Sequence, residues 1–248
     1  MAGTDLYPVA GKHFFIGGVM ATKNGDFVAS DFDGQDWTEV DGWETHGAIG
    51  DAGALITTAL INRGRDVKQK GTANGGSMQN NFAILSADPG QLKLIEAARP
   101  ANKNNYAFKI EGNDAPEPAS KTVTISIASP GVVTWTAHGL SAGNAVKFAT
   151  TGALPTGLVA GTIYYVKTAP DADTFTVSAT PSGTAIVTTA TQSGTHTGST
   201  VPAASKRLFV GLATSATEQG GGANTAQMLQ STVEVNSNIV KVDPAPSI

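Results

Sequence analysis

Asp31, Asp33, Asp36 and Glu39 crowd into the stretch "DFDGQDWTE". Carboxylates at that density suit a calcium ion, which is held by several oxygen ligands. The stretch is too short for an EF-hand, and Gly34 is misplaced for one. The expectation is a solvated loop between strands. The four histidines, His13, His46, His138 and His196, form no HExxH or i, i+4 pair and are scattered along the chain. No shared metal site is expected from them. His138, in "TAHGL", reads as a turn residue whose ring caps a neighbouring strand. There is no cysteine, so no disulfide, thiol nucleophile or thiolate ligand is available.

Catalytic patterns are equally sparse. No GxSxG elbow occurs. "GTANGGSMQ" and "EQGGGAN" are glycine-rich but neither opens a helix, so a phosphate would find no helix dipole. Glycoside hydrolysis needs two carboxylates at a set separation and a stacking cleft. Aromatics are only 6% of the chain, a poor supply for such a cleft. No enzyme activity and no cofactor are expected. "RGRDVKQKG" gathers Arg63, Arg65, Lys68 and Lys70. Nucleic-acid binding would call for interleaved aromatics or a wider basic stripe, and the net charge is −4. In a self-assembling protein this basic hairpin would meet the acidic run at 31–44 of a neighbouring copy. Asp31, Asp33, Asp36, Arg63, Arg65, Lys68 and Lys70 are therefore candidate contacts between copies.

These residues need elements to hold them. Residues 1–118 carry 10 Lys and Arg with 15 Asp and Glu, and residues 202–248 carry 3 and 3. Residues 119–201 carry only 3 and 2, against 19 Thr. The middle reads as a Thr-rich domain inserted into a flanking domain, with a Pro-rich joint at "GNDAPEPAS". The flanking sequence suggests strands at 13–21, 26–32, 37–40, 43–46, 54–61, 65–70, 77–85 and 106–112, then at 206–215, 225–235 and 239–242. Asn24-Gly25 and Asp41-Gly42 are turn signals. One helix is expected over 86–100. Asp88 would be its N-cap, Pro89 its first residue and Gln91 part of a capping-box variant, with Leu92 and Ile95 on one face. The insert alternates apolar residues with Thr in six runs, the last being "AIVTTAT" at 185–191, which predicts about six half-buried strands. The chain opens without a basic stretch followed by an apolar run, so no signal peptide is expected, and its apolar runs are too short to span a bilayer.

"WTEVDGWETHGAIGD" followed by "RDVKQKGTANGGSM" resembles the major tail tube proteins of long-tailed bacteriophages. The likeness covers residues 1–117 and 202–248 and includes the helix "DPGQLKLIEAAR" and the late run "RLFVGLATSATEQGGGANTAQMLQSTVEVNSNIVKV". The insert is similar to a small β domain of phage tail and fibre proteins. The resemblance implies a mainly β fold: a tail-tube β-sandwich or barrel with one α-helix at 1–118 and 202–248, plus an inserted all-β domain at 119–201 on the outer surface. It implies a structural virion protein whose hexameric rings stack into a hollow tube, assembled in the host cytoplasm. The implied partners are other copies of the chain, the tape-measure protein, the tail terminator and distal tail proteins, and genomic DNA in transit, with no membrane. The terminal stretches "MAGTDLYPVAG" and "VDPAPSI" would be arms between rings. The alternative is a carbohydrate- or cell-surface-binding β module presenting Trp135, Tyr164 or Tyr165, although alternation places those rings mostly in the core.

Overall fold

The computed structural model describes residues 6–181 and 183–244. The protein is mainly β, in antiparallel sheets, with one α-helix among the described residues. It divides into two compact units, one up to Asn113 plus Ser205–Asp243, the other Asp114–Ala204. Composition changes at 119 and 202. The compact division lies a few residues further out, because the Pro-rich flanks 114–118 and 202–204 pack with the second unit. Within that unit Thr200 N donates to Ala119 O, and Ala119 N donates to Thr200 Oγ1, so its two ends are clamped together.

In the first unit, strands are numbered along the chain: β1 (His13–Val19), β2 (Thr38–Glu39), β3 (Trp43–Thr45), β4 (Ala52–Thr58), β5 (Val67–Asn74), β6 (Ser77–Ala83) and β7 (Tyr106–Glu111). After the second unit come β14 (Lys206–Gln219), β15 (Met228–Val235) and β16 (Val240–Val242). The main sheet runs β2-β1-β7-β14-β15-β6-β3, with β16 beside β14. Its two edge strands are only a few residues apart in the chain. Val40 N donates to Phe14 O on β1, while Gly42 O accepts from Ala83 N at the end of β6. One segment thus bonds to both edges, and the sheet must curl until they meet. Asp41-Gly42, a turn signal in the sequence, closes no hairpin: it is an irregular link between the strands at opposite ends of the sheet. Gly42 takes φ +78°, and a Cβ there would lie 2.4 Å from Ala83 O. Only glycine fits.

Alternation along the strands sorts the two faces of this sheet. Phe14, Met78, Phe82, Phe108, Phe209, Leu229 and Val233 form the larger core with Leu94 and Ala97 of the helix α1 (Pro89–Ala97). Phe27, Phe32, Ala107, Leu208 and Val210 form a smaller cluster on the other face. Fully burying each Phe, Leu, Met or Val side chain among them stabilises by about 1.5–3 kcal/mol.

Two local expectations for this unit are corrected. Asp88 caps α1 and accepts from Gln91 N at 2.7 Å, with Pro89 at the first position. However, Gln91 does not complete a capping box. Its amide instead donates to Asp41 O and Ala83 O, both at 2.8 Å, fastening the curled edges together. That rotates the buried face onto Gly90, Gln91, Leu94 and Ala97, leaving Leu92 exposed and Ile95 partly buried. The second correction concerns residues 26–32, which form no strand. A single 3-10 turn (Ala29–Phe32) replaces it, because the Asp31 carboxylate bonds back to Val28 N. Short polar side chains offer the backbone this local alternative to a ladder.

The second unit is a closed six-stranded barrel: β8 (Ser120–Ile125), β9 (Val132–Thr134), β10 (Ala145–Thr150), β11 (Ile163–Thr168), β12 (Thr174–Ser178) and β13 (His196–Thr200). Its interior holds Val123, Val133, Trp135, Val146, Phe148, Tyr164, Val166 and Phe175. The sixth strand is not "AIVTTAT". That segment makes only isolated bridges and acts as a strap: Thr188 is buried and donates to Ser126 O, while Thr188 N donates to Ala128 O. "HTGST" closes the barrel because Gly198 lets a strand lie directly on the Trp135 ring. A Cβ at Gly198 would come within 2.7 Å of it. His138 is a buried turn residue, as its sequence suggests. Its Nδ1 accepts from Leu140 N and its ring stands edge-on to Phe175.

Candidate assembly surfaces

β4 and β5 pair with each other from Ala52↔Asn74 to Thr58↔Val67, and neither joins the main sheet. Every residue of β4 is exposed. Opposed residues share a face, so the ribbon has two distinct sides. Leu55 and Thr57 stand with Lys70 and Lys68 on one. Ile56 and Thr58 stand with Gln69 and Val67 on the other, where Gly71 lies against Ala54 and Ile56. The second side carries no charge. The connecting loop carries Arg63 and Arg65, both exposed, beside a fully exposed Ile61. Leu55 is 66% exposed and Ile56 49% exposed. An isolated two-stranded ribbon is at best marginally stable in water.

The acidic run splits into residues already engaged and residues still free. The Asp31 carboxylate accepts from Lys23 Nζ at 2.5 Å and from Val28 N at 2.7 Å. These two bonds, the lysine first, hold its pKa below the ordinary carboxylate value. Glu39 meets His13 Nδ1. Asp33 and Asp36 are exposed, and among the described residues their carboxylates have no partner. The structure therefore gathers Arg63, Arg65, Lys68 and Lys70 on one hairpin and Asp33 and Asp36 on one loop. It pairs neither group with the other within the chain. Asp31 is committed to its own loop.

A second surface gave no sequence signal. β14 pairs with β7 only from Lys206 to Gly211. From Ser215 to Gln219 it pairs with β15 alone, so its other side is an open ladder. Lengths of strand are legible in sequence, but which neighbour stops short is not. No protein-family model matches the chain, and no curated protein matches it.

Other site readings find little geometry here. No group of three or more His, Asp or Glu among the described residues could hold a metal ion. Trp135 and Tyr164 are buried, and the Tyr164 hydroxyl accepts from Val159 N, so neither ring offers a stacking platform to a sugar. His46 is half-buried against Trp43, with ring centroids 4.9 Å apart. Burial, and then the nearby Lys12 charge, push its pKa below the ordinary imidazole value. No helix among the described residues is long and apolar enough to cross a membrane. The terminal arms expected from the sequence lie partly outside the described residues, at 1–5 and 245–248.

Proposed function

We propose that this chain is a self-assembling structural subunit, resembling the major tail tube proteins of long-tailed phages, whose six-membered rings stack into a hollow conduit for DNA. The observation that supports this most is the free-standing β4–β5 ribbon. Its uncharged side exposes Ile56 beside a half-buried Val67, and neither of its strands joins the main sheet. Exposed strands of this kind invite pairing with another chain. Repeated identically around a ring, the contact closes and leaves no sticky edge. The basic hairpin, with Arg63 and Arg65 in its loop and Lys68 and Lys70 on β5, complements the free carboxylates of Asp33 and Asp36 on a neighbouring copy. The open ladder of Ser215–Gln219 is a second place for a neighbour's strand. In this reading the inserted barrel stands on the outside, where it would not obstruct the lumen, and the tape-measure, terminator and distal tail proteins are the partners.

Electron microscopy of the purified protein tests the reading. Rings or tubes are the expected result. Dispersed monomers at all concentrations, with retention on glycan supports, would overturn it in favour of the surface-binding alternative.

A further inference from the structure

Asn–Gly steps carry a chemical liability that depends on local geometry, and this chain holds two of them in contrasting settings. Asn24-Gly25 lies in the exposed bend after β1. Among the described residues neither takes part in any hydrogen bond, and Gly25, at φ +97°, has nothing within 4 Å of its Cβ position. Asn74-Gly75 ends β5. The Asn74 side-chain oxygen accepts from Gly76 N at 2.9 Å, and Gly75 is wedged against Val235, where a Cβ would fall 2.6 Å from Cγ1.

We propose that Asn24 is a spontaneous modification site of the folded protein, deamidating through a cyclic imide, and that Asn74 is protected by its fold. Gly25 N loses its proton and attacks Asn24 Cγ. The new C–N bond closes a five-membered ring, and the Cγ–Nδ2 bond breaks with loss of ammonia. Water then opens the ring at either carbonyl, leaving aspartate or isoaspartate at position 24 and one more negative charge. Glycine permits the attack because no side chain crowds its nitrogen, and a free bend lets the dihedrals rotate. At Asn74 the same rotation must break the bond from Gly76 N and lift Gly75 off Val235. The modification at 24 stays local. Phe27, three residues on, is pinned by Asn238, whose Oδ1 accepts from Phe27 N and whose Nδ2 donates to Phe27 O. The new carboxylate sits next to Lys23, where it competes with Asp31 for that ammonium.

The test is peptide mapping by mass spectrometry of the whole protein held at mildly alkaline pH, folded or in urea. In urea both sites should gain one dalton at similar rates. In the folded protein the Asn24 peptide should react nearly as fast as in urea, while the Asn74 peptide slows by about tenfold or more, the effect of one hydrogen bond plus local packing. An Asn24→Gln variant should lose the early product and melt like the parent. Folded-state reaction at Asn74 as fast as at Asn24 would overturn the proposal, as would a slowing of Asn24 in the folded state comparable to that at Asn74.

Discussion

Asn80 on β6 and Ser231 on β15 face each other across the ladder in the sealed core, and among the described residues neither the Asn80 Nδ2 nor the Ser231 Oγ has a partner. The two are not equivalent. Asn80 Oδ1 accepts from Trp43 Nε1 and from Gly47 N, tying the β3 segment down. Ser231 contributes nothing of the kind. Ser231→Ala should therefore be neutral or stabilise by up to about 1 kcal/mol, since it removes an unpaired buried hydroxyl. Asn80→Ala should cost about 2–4 kcal/mol, because it orphans two donors and opens a gap. Urea unfolding of both variants checks this. A Ser231→Ala loss as large as that of Asn80→Ala would contradict it.

The barrel's weakest tolerance lies at Gly198. It pairs with Phe148 and Lys121 while lying on Trp135, leaving no room for a methyl group. Gly198→Ala should destabilise the second unit by about 1–3 kcal/mol through overpacking. Trp135 fluorescence during denaturation reports on this unit, although Trp37 and Trp43 of the first unit contribute background. An unchanged midpoint would show that the strand can shift away from the ring.

Much of the fold was legible in the sequence where one physical signal dominates. Strict alternation in "KTVTIS", "NAVKFAT" and "DTFTVSA" marks β8, β10 and β12, and Asp88-Pro89 marks the start of α1. The misses share a cause: a side chain found a partner that sequence distance hides. Asp31 turned 26–32 away from the ladder, Gln91 left its capping role for two distant carbonyls, and Thr188 turned an alternating run into a strap. The hairpin was visible, but its isolation was not. "ALITTALI" lacks period two, a sign that no face of it is buried within its own chain. The basic residues were correctly grouped on this hairpin by sequence alone, whereas the open ladder of β14 depends on where β7 ends.

His46 gives stability a pH dependence whose sign follows from its environment. Burial and Lys12 lower its pKa in the folded protein relative to the ordinary value of 6.5. The unfolded chain therefore binds the proton more readily. The contribution is fully present above the unfolded pKa and is lost as pH falls through the folded one. Asp31, also lowered, acts in the same direction but in the carboxylate range, well below. Urea midpoints should fall between neutral and mildly acidic pH, and His46→Gln should flatten that part of the profile. A profile unchanged by the substitution would refute the assignment.

The two units should separate cleanly. Gly112 N donates to Ser205 O at 2.7 Å, and Glu111 pairs with Lys206, so the chain ends left by excising the barrel already lie side by side. Replacing 114–204 with a short Gly/Ser linker should leave a folded first unit with the main sheet intact, since closing so short a gap adds little entropy cost. Circular dichroism and a cooperative melt would verify it. Recovery only as insoluble material would show that the first unit needs its insert.

The β4–β5 ribbon offers the sharpest separation of folding from assembly. Its side chains make few commitments within the chain, so changing them should leave monomer stability within about 0.5 kcal/mol, as for surface substitutions in general. Ile56→Asp places a charge on the uncharged side, where a neighbouring copy would have to bury it unpaired. Lys68→Glu reverses charge on the opposite side. If the uncharged side is the one covered, Ile56→Asp should abolish rings and tubes. Lys68→Glu should weaken assembly most at low salt, where charge complementarity is least screened. Sedimentation and electron microscopy at two ionic strengths read both outcomes. Wild-type assembly by Ile56→Asp would remove the ribbon from the interface, and a Lys68→Glu defect that persists unchanged in high salt would show that its role is not electrostatic.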